Sequence, residues 1–270
     1  MSTSGRIGLA MVVFWVLVAV LGPWLAPHAV GAMVSRDVFD PIGAAFPLGS
    51  DYLGRDMLSR LLYGTRFTVG LALCAALLAS ATGTSLALFA TVSGRWIDEI
   101  ASRLMDTLIS LPSKVFALVM VAAFGSSVPL LLVLAAVTYM PGAYRIARAL
   151  ATNQNALEYV QAARARGEGR LYIAVVEILP NMIHPMFADF GVRFVYVVLL
   201  LSGLSFLGLG VQPPNADLGS LVRENMPGLA EGAPAVIVPA LAIATLTIGM
   251  NLFIDSLPVR LRRRAGRPAK

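Results

Sequence analysis

The sequence is poor in charged residues, and this shortage is its most informative feature. Of 270 residues, only 13% are charged and 57% are hydrophobic, with a mean hydropathy of +0.77. A soluble domain carries about 25% charged residues, so the composition excludes that class. Several runs without charge are long enough to cross a bilayer, which needs roughly 20 apolar helical residues. The chain is therefore predicted to be an all-α, polytopic membrane protein.

Cysteine and histidine are almost absent, which excludes several kinds of site. The single cysteine, Cys74, lies in an apolar run and is predicted to be a small packed hydrophobe. The two histidines, His28 and His184, fall near opposite membrane faces, whereas a metal site needs its ligands together. The sequence also lacks the Gly-x-x-x-x-Gly-Lys-Ser/Thr phosphate loop. No metal, cofactor, catalytic residue or ATP site is predicted.

About six membrane-spanning helices are predicted within one domain. The third long uncharged run, 115–144, contains Gly125 to Pro129, a Gly and Pro pattern that is typical of a turn between two helices. The uncharged runs are 7–27, 67–94, 115–144, 194–216 and 232–254. The predicted parts are an N-terminal helix 7–27, an external loop 28–65, a core 66–258, a cytoplasmic connection 145–183 and a basic tail 259–270.

The distribution of basic residues supports six spans over five. With a turn at Gly125 and a cytoplasmic N-terminus, 15 basic residues fall on the cytoplasmic side and 5 on the outer side. A single span over 115–144 would move both large basic clusters outside, against the positive-inside rule. Both termini are therefore predicted to be cytoplasmic.

A short amphipathic helix is predicted in the cytoplasmic connection. Asn155 is a favourable N-cap, and Glu158 stands three residues later, as in a capping box. Gly167 is a typical helix stop. Small or apolar side chains recur with helical spacing and share one face: Ala156, Tyr159, Val160 and Ala163. This face is predicted to admit a partner surface, although the helix could instead pack only on its own chain, with Glu158 serving only as a cap.

This stretch resembles the EAA loop of ABC importer permeases. In that loop Glu-Ala-Ala is followed by a glycine and later by Ile-x-Leu-Pro. Gln161, Ala162 and Ala163 stand at the first three positions, Gly167 at the glycine and Leu179-Pro180 at the end. Gln161 replaces the glutamate of the pattern, and Glu177 replaces its isoleucine.

Two further segments carry the same resemblance, to the dipeptide/oligopeptide/nickel permease family. Residues 47–56 and 59–64 resemble the external segment that precedes the family's second span. Residues 204–210, followed by Gln212-Pro213-Pro214, resemble the end of its fifth span, with Leu218-Gly219 in place of a tryptophan-glycine pair. The similarity runs from about residue 40 to about residue 258.

The resemblance implies the type I ABC importer permease fold and a second-permease, "C"-type subunit of the bacterial inner membrane. It implies a second, non-identical permease, two cytoplasmic ABC ATPases and an external solute-binding protein as partners. The implied ATPase-coupling residues are Glu158, Gln161, Ala162, Ala163, Gly167, Leu179 and Pro180. The implied external loop or gate residues are Asp51, Gly54, Arg55 and Asp56. Peptide is the default substrate, with nickel, opines and glycosides left open.

A transporter driven by an ion gradient, or a membrane enzyme, is the alternative. It would need buried acidic residues or a catalytic cluster, and the central stretches of four spans are uncharged. Asp189 and Arg193 are spaced for an ion pair on one helix face and are predicted to be structural. Asp106 is predicted to lie at the membrane interface.

Overall fold

The computed structural model describes residues 2–44, 46–231 and 234–257 of the chain. Within these residues the regular secondary structure is helical, and the only β-structure is two isolated bridges, Met33 to Arg55 and Ser50 to Asp56. The predicted all-α fold is confirmed. The predicted basic tail, 259–270, lies outside the described residues.

A long segment separates the first two helices, and most of the later helices follow one another with short connections. In chain order they are α1 (Thr3–Leu25), α2 (Met57–Ser93), α3 (Arg95–Ser110), α4 (Ser113–Phe124), α5 (Val128–Asn155), α6 (Glu158–Ala165), α7 (Arg170–Tyr172), a π-helical segment (Ile173–Ile178), α8 (Leu179–Phe206), α9 (Leu218–Glu224), a 3₁₀ turn (Met226–Glu231) and α10 (Pro234–Asp255). Five are long and apolar enough to cross a membrane: α1, α2, α5, the continuous helix from α7 to α8, and α10. The pair α3 and α4, bent by 83°, gives a sixth crossing if it is one span.

The second span begins earlier than predicted. Asp56 caps α2, because its carboxylate accepts hydrogen bonds from the backbone N–H groups of Leu58 and Ser59 at 3.3 and 3.1 Å. The predicted external loop therefore ends at Asp56. Arg60, whose charge suggested a loop, lies inside the helix with its side chain buried.

The fourth span continues beyond Tyr144, where its uncharged run ends. Arg145 and Arg148 extend α5 because each one pairs with an aspartate of α3. Arg145 donates to Asp106 at 2.6 Å, and Arg148 donates to Asp98 at 2.5 Å. The charged residues between the uncharged runs 67–94 and 115–144 thus lie largely in a helix, α3, which packs beside α5.

The fifth span begins before residue 194 and ends at Phe206. Asp189 and Arg193 lie inside α8, where two hydrogen bonds of 2.6 and 2.8 Å join the side chains. The predicted ion pair is confirmed. Gly208 follows the helix with φ +86°, a left-handed conformation that favours glycine and ends the span before the predicted residue 216.

Glycines bring several of the spans into close contact. A Cβ atom on Gly8 of α1 would lie 2.5 Å from the backbone nitrogen of Phe253 in α10. A Cβ atom on Gly83 of α2 would lie 2.7 Å from the carbonyl oxygen of Met140 in α5. Small residues of this kind allow membrane helices to pack backbone against backbone.

The antiparallel succession of spans gives the bundle two distinct ends. At one end, Gly5 of α1 contacts Ser256, and Arg170 donates to the carbonyl of Ser93 at 3.4 Å. This end carries α6 and is called the α6 end. At the other end, the backbone of Tyr52 donates to the side chain of Asn225 at 3.1 Å, and α9 lies there. It is called the α9 end.

Candidate functional site

The predicted start of α6 is wrong by two residues. Asn155 is the last residue of α5, and the N-cap of α6 is Leu157, which makes no side-chain capping bond. The Asn155 side chain instead accepts from Arg164 at 2.7 Å, and its carbonyl accepts from Gln161 at 3.1 Å. The capping box fails because α5 continues through Asn155, and Glu158 begins the helix as an exposed first-turn residue.

The face of α6 that was predicted to receive a partner packs on its own chain. Val160 and Ala163 are 0% exposed, and Val160 belongs to a core formed with Ile173, Ile178 and Met182. The opposite face is free of such contacts, because its side chains are exposed: Glu158, Gln161, Ala162 and Ala165. Ala156 is also exposed, but it precedes the helix. A partner would therefore meet Gln161 and Ala162 rather than Ala163.

Gly167 ends α6 as predicted. Its φ is +83°, its N–H donates to the carbonyl of Arg164 at 2.9 Å, and the N–H of Glu168 donates to the carbonyl of Ala163 at 3.2 Å. These two bonds form a Schellman motif, which satisfies the last carbonyls of a helix. A Cβ atom on Gly167 would have no heavy atom within 4 Å, so the glycine is required by conformation and not by crowding within the chain.

A group of hydrogen bonds, here the Tyr159 cluster, joins α6 to α5 and to the start of the fifth span. The Tyr159 hydroxyl donates to the side chain of Gln154 at 2.8 Å and lies 3.4 Å from the carbonyl of Glu177. The Asn181 amide donates to that same carbonyl at 2.8 Å and to the Tyr159 hydroxyl at 3.2 Å. Partial burial raises the pKa of Tyr159, so the hydroxyl keeps its proton as a donor.

Leu179 and Pro180 lie where the π-helical segment gives way to α8. Leu179 packs against the core beneath α6, whereas Pro180 is exposed at the first turn of α8. Proline has no N–H to donate to the preceding turn. The side-chain amide of the next residue, Asn181, donates to the carbonyl of Glu177 in the Tyr159 cluster. The end of the predicted motif thus fixes how α6 is joined to the membrane-spanning part.

The four predicted loop or gate residues lie at the α9 end, and three of them are buried charged groups. Asp51 is 0% exposed and accepts from Arg55 at 2.6 Å and from Arg60 at 2.7 Å. Glu224 of α9 accepts from the same arginines at 3.3 and 2.8 Å. These four side chains are called the Asp51 network. It ties the segment before α2 to α9, and a role of these residues as an external gate stays a prediction.

Asp56 and Gly54 shape the backbone beside this network. Besides capping α2, the Asp56 carboxylate accepts from the hydroxyl of Ser59 at 2.6 Å and lies 3.3 Å from Nδ1 of His28. Gly54 has φ +70°, and a Cβ atom there would lie 2.5 Å from the carbonyl oxygen of Ser35. Only glycine adopts this left-handed conformation without strain and also leaves room for the Ser35 carbonyl. Gly54 therefore holds the turn that brings Asp51 and Arg55 together.

Comparison with known proteins assigns the chain to a family. Residues 56–266 match the family of binding-protein-dependent transport system inner membrane components. The chain belongs to this family. The permease is 31% identical over 257 residues to the dipeptide transport system permease protein DppC of Haemophilus influenzae, covering 93% of this chain and 87% of that protein. It is 32% identical over 210 residues to the glutathione transport system permease protein GsiD of Pectobacterium atrosepticum, covering 78% of this chain and 70% of that protein.

A third relative extends the same pattern. The di/tripeptide transport system permease protein DppC of Pseudomonas aeruginosa is 31% identical over 256 residues, covering 93% of this chain and 84% of that protein. The chain is therefore a permease subunit of an ABC importer with the type I fold, and the resemblance drawn from its three motifs is confirmed. It is a multi-pass membrane protein of a multi-subunit transport system, and the relatives that it matches are transport permeases.

Sequence reasoning about the permease missed two members of the Asp51 network. Arg60 was assigned to a loop, and Glu224 is separated from Arg60 by 164 residues. A signal for Arg60 exists, because it follows the cap Asp56 by four residues and so falls in the first helical turns. No local signal points to Glu224, since only the fold brings α9 against the start of α2.

One further buried carboxyl group was also missed. Asp217 caps α9 by accepting from the backbone of Ser220 at 2.8 Å, and it also accepts from the hydroxyl of Ser205 at the end of α8. Burial raises the pKa of Asp217 above the usual range of an aspartate. Across the described residues, no group of three or more His, Cys, Asp or Glu side chains is arranged to hold a metal ion.

Proposed function

We propose that this permease forms half of a translocation pathway for short peptides in the bacterial inner membrane. In this proposal a second, non-identical permease supplies the other half, two cytoplasmic ABC ATPases hydrolyse ATP, and an external protein delivers the solute. The α6 end is cytoplasmic, together with both termini, and the α9 end faces outward.

The observation that carries the coupling role is the division of α6 into two faces. One face is buried in its own chain at Val160 and Ala163. The Schellman motif ends the helix, and the Tyr159 cluster joins it to α5 and α8. The other face is exposed at Gln161 and Ala162. A short helix outside the bilayer, held firmly to the spans and open on one side, suits an ATPase subunit that moves the spans as rigid bodies.

Substitutions on the two faces of α6 test this docking. Ala162→Glu adds a charge to the exposed face and is expected to abolish peptide uptake while the permease still inserts and folds. Thr152→Glu, at an exposed site near the end of α5, is the matched control and is expected to keep uptake. Assembly with the ATPases, ATPase rate and uptake are measured together. Normal uptake by Ala162→Glu, or loss of the permease from the membrane, would leave the coupling role without support.

The peptide substrate is supported by the names of relatives that carry dipeptides, di/tripeptides and glutathione. The complex encoded by this gene and its neighbours, reconstituted with its binding protein, is expected to take up labelled dipeptides when ATP is supplied. A complex in which the ATPases cannot hydrolyse ATP is the control. Uptake of a non-peptide solute, with none of any dipeptide, would refute the substrate class.

The second permease is tested by purifying the complex encoded by this gene and its neighbours and identifying its subunits. We expect a complex that contains this chain and one similar but non-identical permease, because a single permease leaves half of the pathway unbuilt. Transport by this chain as a homodimer with the ATPases would contradict the proposal.

The sidedness is supported by the basic residues, 15 against 5, in the six-span arrangement. Reporter fusions at Val30, Ser126, Ala165, Val222 and Pro268 measure it directly. We expect cytoplasmic signals only at Ala165 and Pro268. A cytoplasmic signal at Ser126, or an external one at Ala165, would refute the six-span topology.

A further inference from the structure

A groove of about 480 Å³ opens at the bend between α3 and α4, with α5 and α8 as its walls. Its wall includes Ser113 and Phe116 beside the bend, Thr138 and Tyr139 on α5, and Arg193 on α8. Sites for small molecules commonly have volumes of about 300–1,000 Å³. The groove is therefore large enough for a short peptide.

The groove reaches the middle of the membrane. Thr138 lies ten residues after the start of α5 at Val128, which at about 1.5 Å per residue places it roughly 15 Å along the helix. A hydrocarbon core is about 30 Å thick, so Thr138 and Tyr139 lie near its centre. Arg145 lies closer to the α6 end.

Polar and charged groups are exposed along this groove. Arg145 and Asp106 form an ion pair at 2.6 Å with side chains that are 53% and 56% exposed. The hydroxyl of Tyr139 donates to the carbonyl of Tyr196 at 3.0 Å, and the two rings stack with centroids 6.0 Å apart. Arg145 lines the groove toward the α6 end, and Asp106 lies beside it as its partner.

Most of the large exposed residues on other spans are apolar and not charged. Leucine, isoleucine and phenylalanine dominate the exposed positions of α1, α2 and α10, for example Leu17, Leu77 and Leu241. These faces suit lipid. The groove is thus distinguished from the lipid-facing surface by its charges and not only by its shape.

The charges in the groove are balanced. Arg193 is joined to Asp189 by two hydrogen bonds and donates to the carbonyl of Tyr139 at 2.9 Å. It passes close to Gly142, where a Cβ atom would lie 2.7 Å from its Nη1. Arg193 is nearly buried and its charge is compensated by Asp189, so the exposed charges are those of Arg145, on the wall of the groove, and of Asp106, which pairs with Arg145 beside the groove. This complements a zwitterionic solute with amide groups better than a net anion or a net cation.

We propose that this groove is the part of the translocation pathway contributed by this chain, and that it contacts a short zwitterionic peptide during transport. The inference rests on the proposed function, and it deepens that proposal by naming the surface that the peptide touches. Thr138 and Ser113 lie on this surface, whereas Leu77, in the uncharged part of α2, lies on the lipid face.

Cysteine labelling of the assembled importer tests the inference. The single native cysteine is removed by Cys74→Ala, and Thr138→Cys, Ser113→Cys and the control Leu77→Cys are introduced one at a time. A charged, membrane-impermeant methanethiosulfonate is applied with and without a saturating dipeptide and ATP. Because a charged reagent avoids lipid, the groove cysteines are expected to react roughly a hundredfold faster than Leu77→Cys, and dipeptide is expected to slow them.

Two results would overturn the inference. Groove cysteines as unreactive as Leu77→Cys would mean a dry surface against lipid or another subunit. Groove cysteines that react without any protection by dipeptide would mean a hydrated surface that the peptide does not touch.

Dipeptide uptake by the Cys74→Ala complex is measured first. Its absence would refute peptide transport, whereas normal uptake without protection would refute only the groove. Ser113→Cys is nearly isosteric and keeps the test open if Thr138→Cys fails to assemble.

Discussion

At the α9 end, two arginines and two acids lie buried against one another, whereas at the α6 end a short helix is held by apolar contacts and hydrogen bonds between mostly uncharged groups. The Asp51 network leaves little of its charge in contact with solvent, and α6 keeps one full face exposed. The difference suggests that the α9 end stabilises the fold of the chain itself. The α6 end presents a surface while remaining joined to two spans.

The largest effect is expected from breaking the Asp51 network. Asp51→Ala leaves Arg55 and Arg60 buried with only Glu224 as an acidic partner, and removing one partner of a buried ion pair costs about 3–5 kcal/mol. We expect a marked loss of folded permease in detergent and in membranes. Asp37→Asn, in the exposed part of the same segment, is the control and should change little. Equal stability of Asp51→Ala and the parent would show that the network does not stabilise the fold.

A smaller effect on stability, with a large one on uptake, is expected at Gly167. Gly167→Val places a β-branched residue at φ +83°, and the left-handed conformation costs about 1–2 kcal/mol. We expect the permease to insert but to lose uptake, because the end of α6 changes shape at the proposed docking surface. Gly169→Val is the matched control, since Gly169 has φ −72° and equally open surroundings. If both variants transport alike, the left-handed turn is not needed for coupling.

A subtler effect is expected from the Tyr159 cluster. Tyr159→Phe removes only the hydroxyl that joins Gln154 and Asn181, at a cost of about 1 kcal/mol in a net hydrogen bond. We expect normal insertion and ATPase binding, but fewer peptides transported for each ATP hydrolysed, because α6 is less firmly joined to α5 and α8. Tyr172→Phe, on the half-exposed surface of α7, is the control. An unchanged ratio in Tyr159→Phe would exclude a role in transmission.

The smallest effect is expected from the pH dependence of Asp217. Its pKa is raised in the folded chain by burial, so the folded state binds a proton more readily than the unfolded one. Relative to Asp217→Asn, the parent is expected to lose stability as pH rises from the usual carboxyl range through the raised pKa. Thermal unfolding of both proteins in detergent measures this difference. A difference that is constant with pH would contradict the assignment.

Much of the permease could be predicted from sequence because the information is local. Uncharged runs indicate spans, the Gly125 turn separates α4 from α5, and Gly167 ends α6 with the expected left-handed backbone. Span limits were less predictable, since Arg60, Arg145 and Arg193 suggested the ends of helices. Each one lies inside a helix because an acidic side chain elsewhere in the chain pairs with it.

The sequence by itself determined the membrane class, about six candidate crossings, the family and the approximate position of α6, because hydropathy and turn residues act within a few residues of chain. Only the tertiary structure decided which face of α6 is buried, since Val160 and Ala163 were equally suited to a partner or to the core of their own chain. It also decided that Asp51 and Glu224 share two arginines. Side chains separated by more than 160 residues meet only when helices pack, and sequence spacing carries no record of that contact.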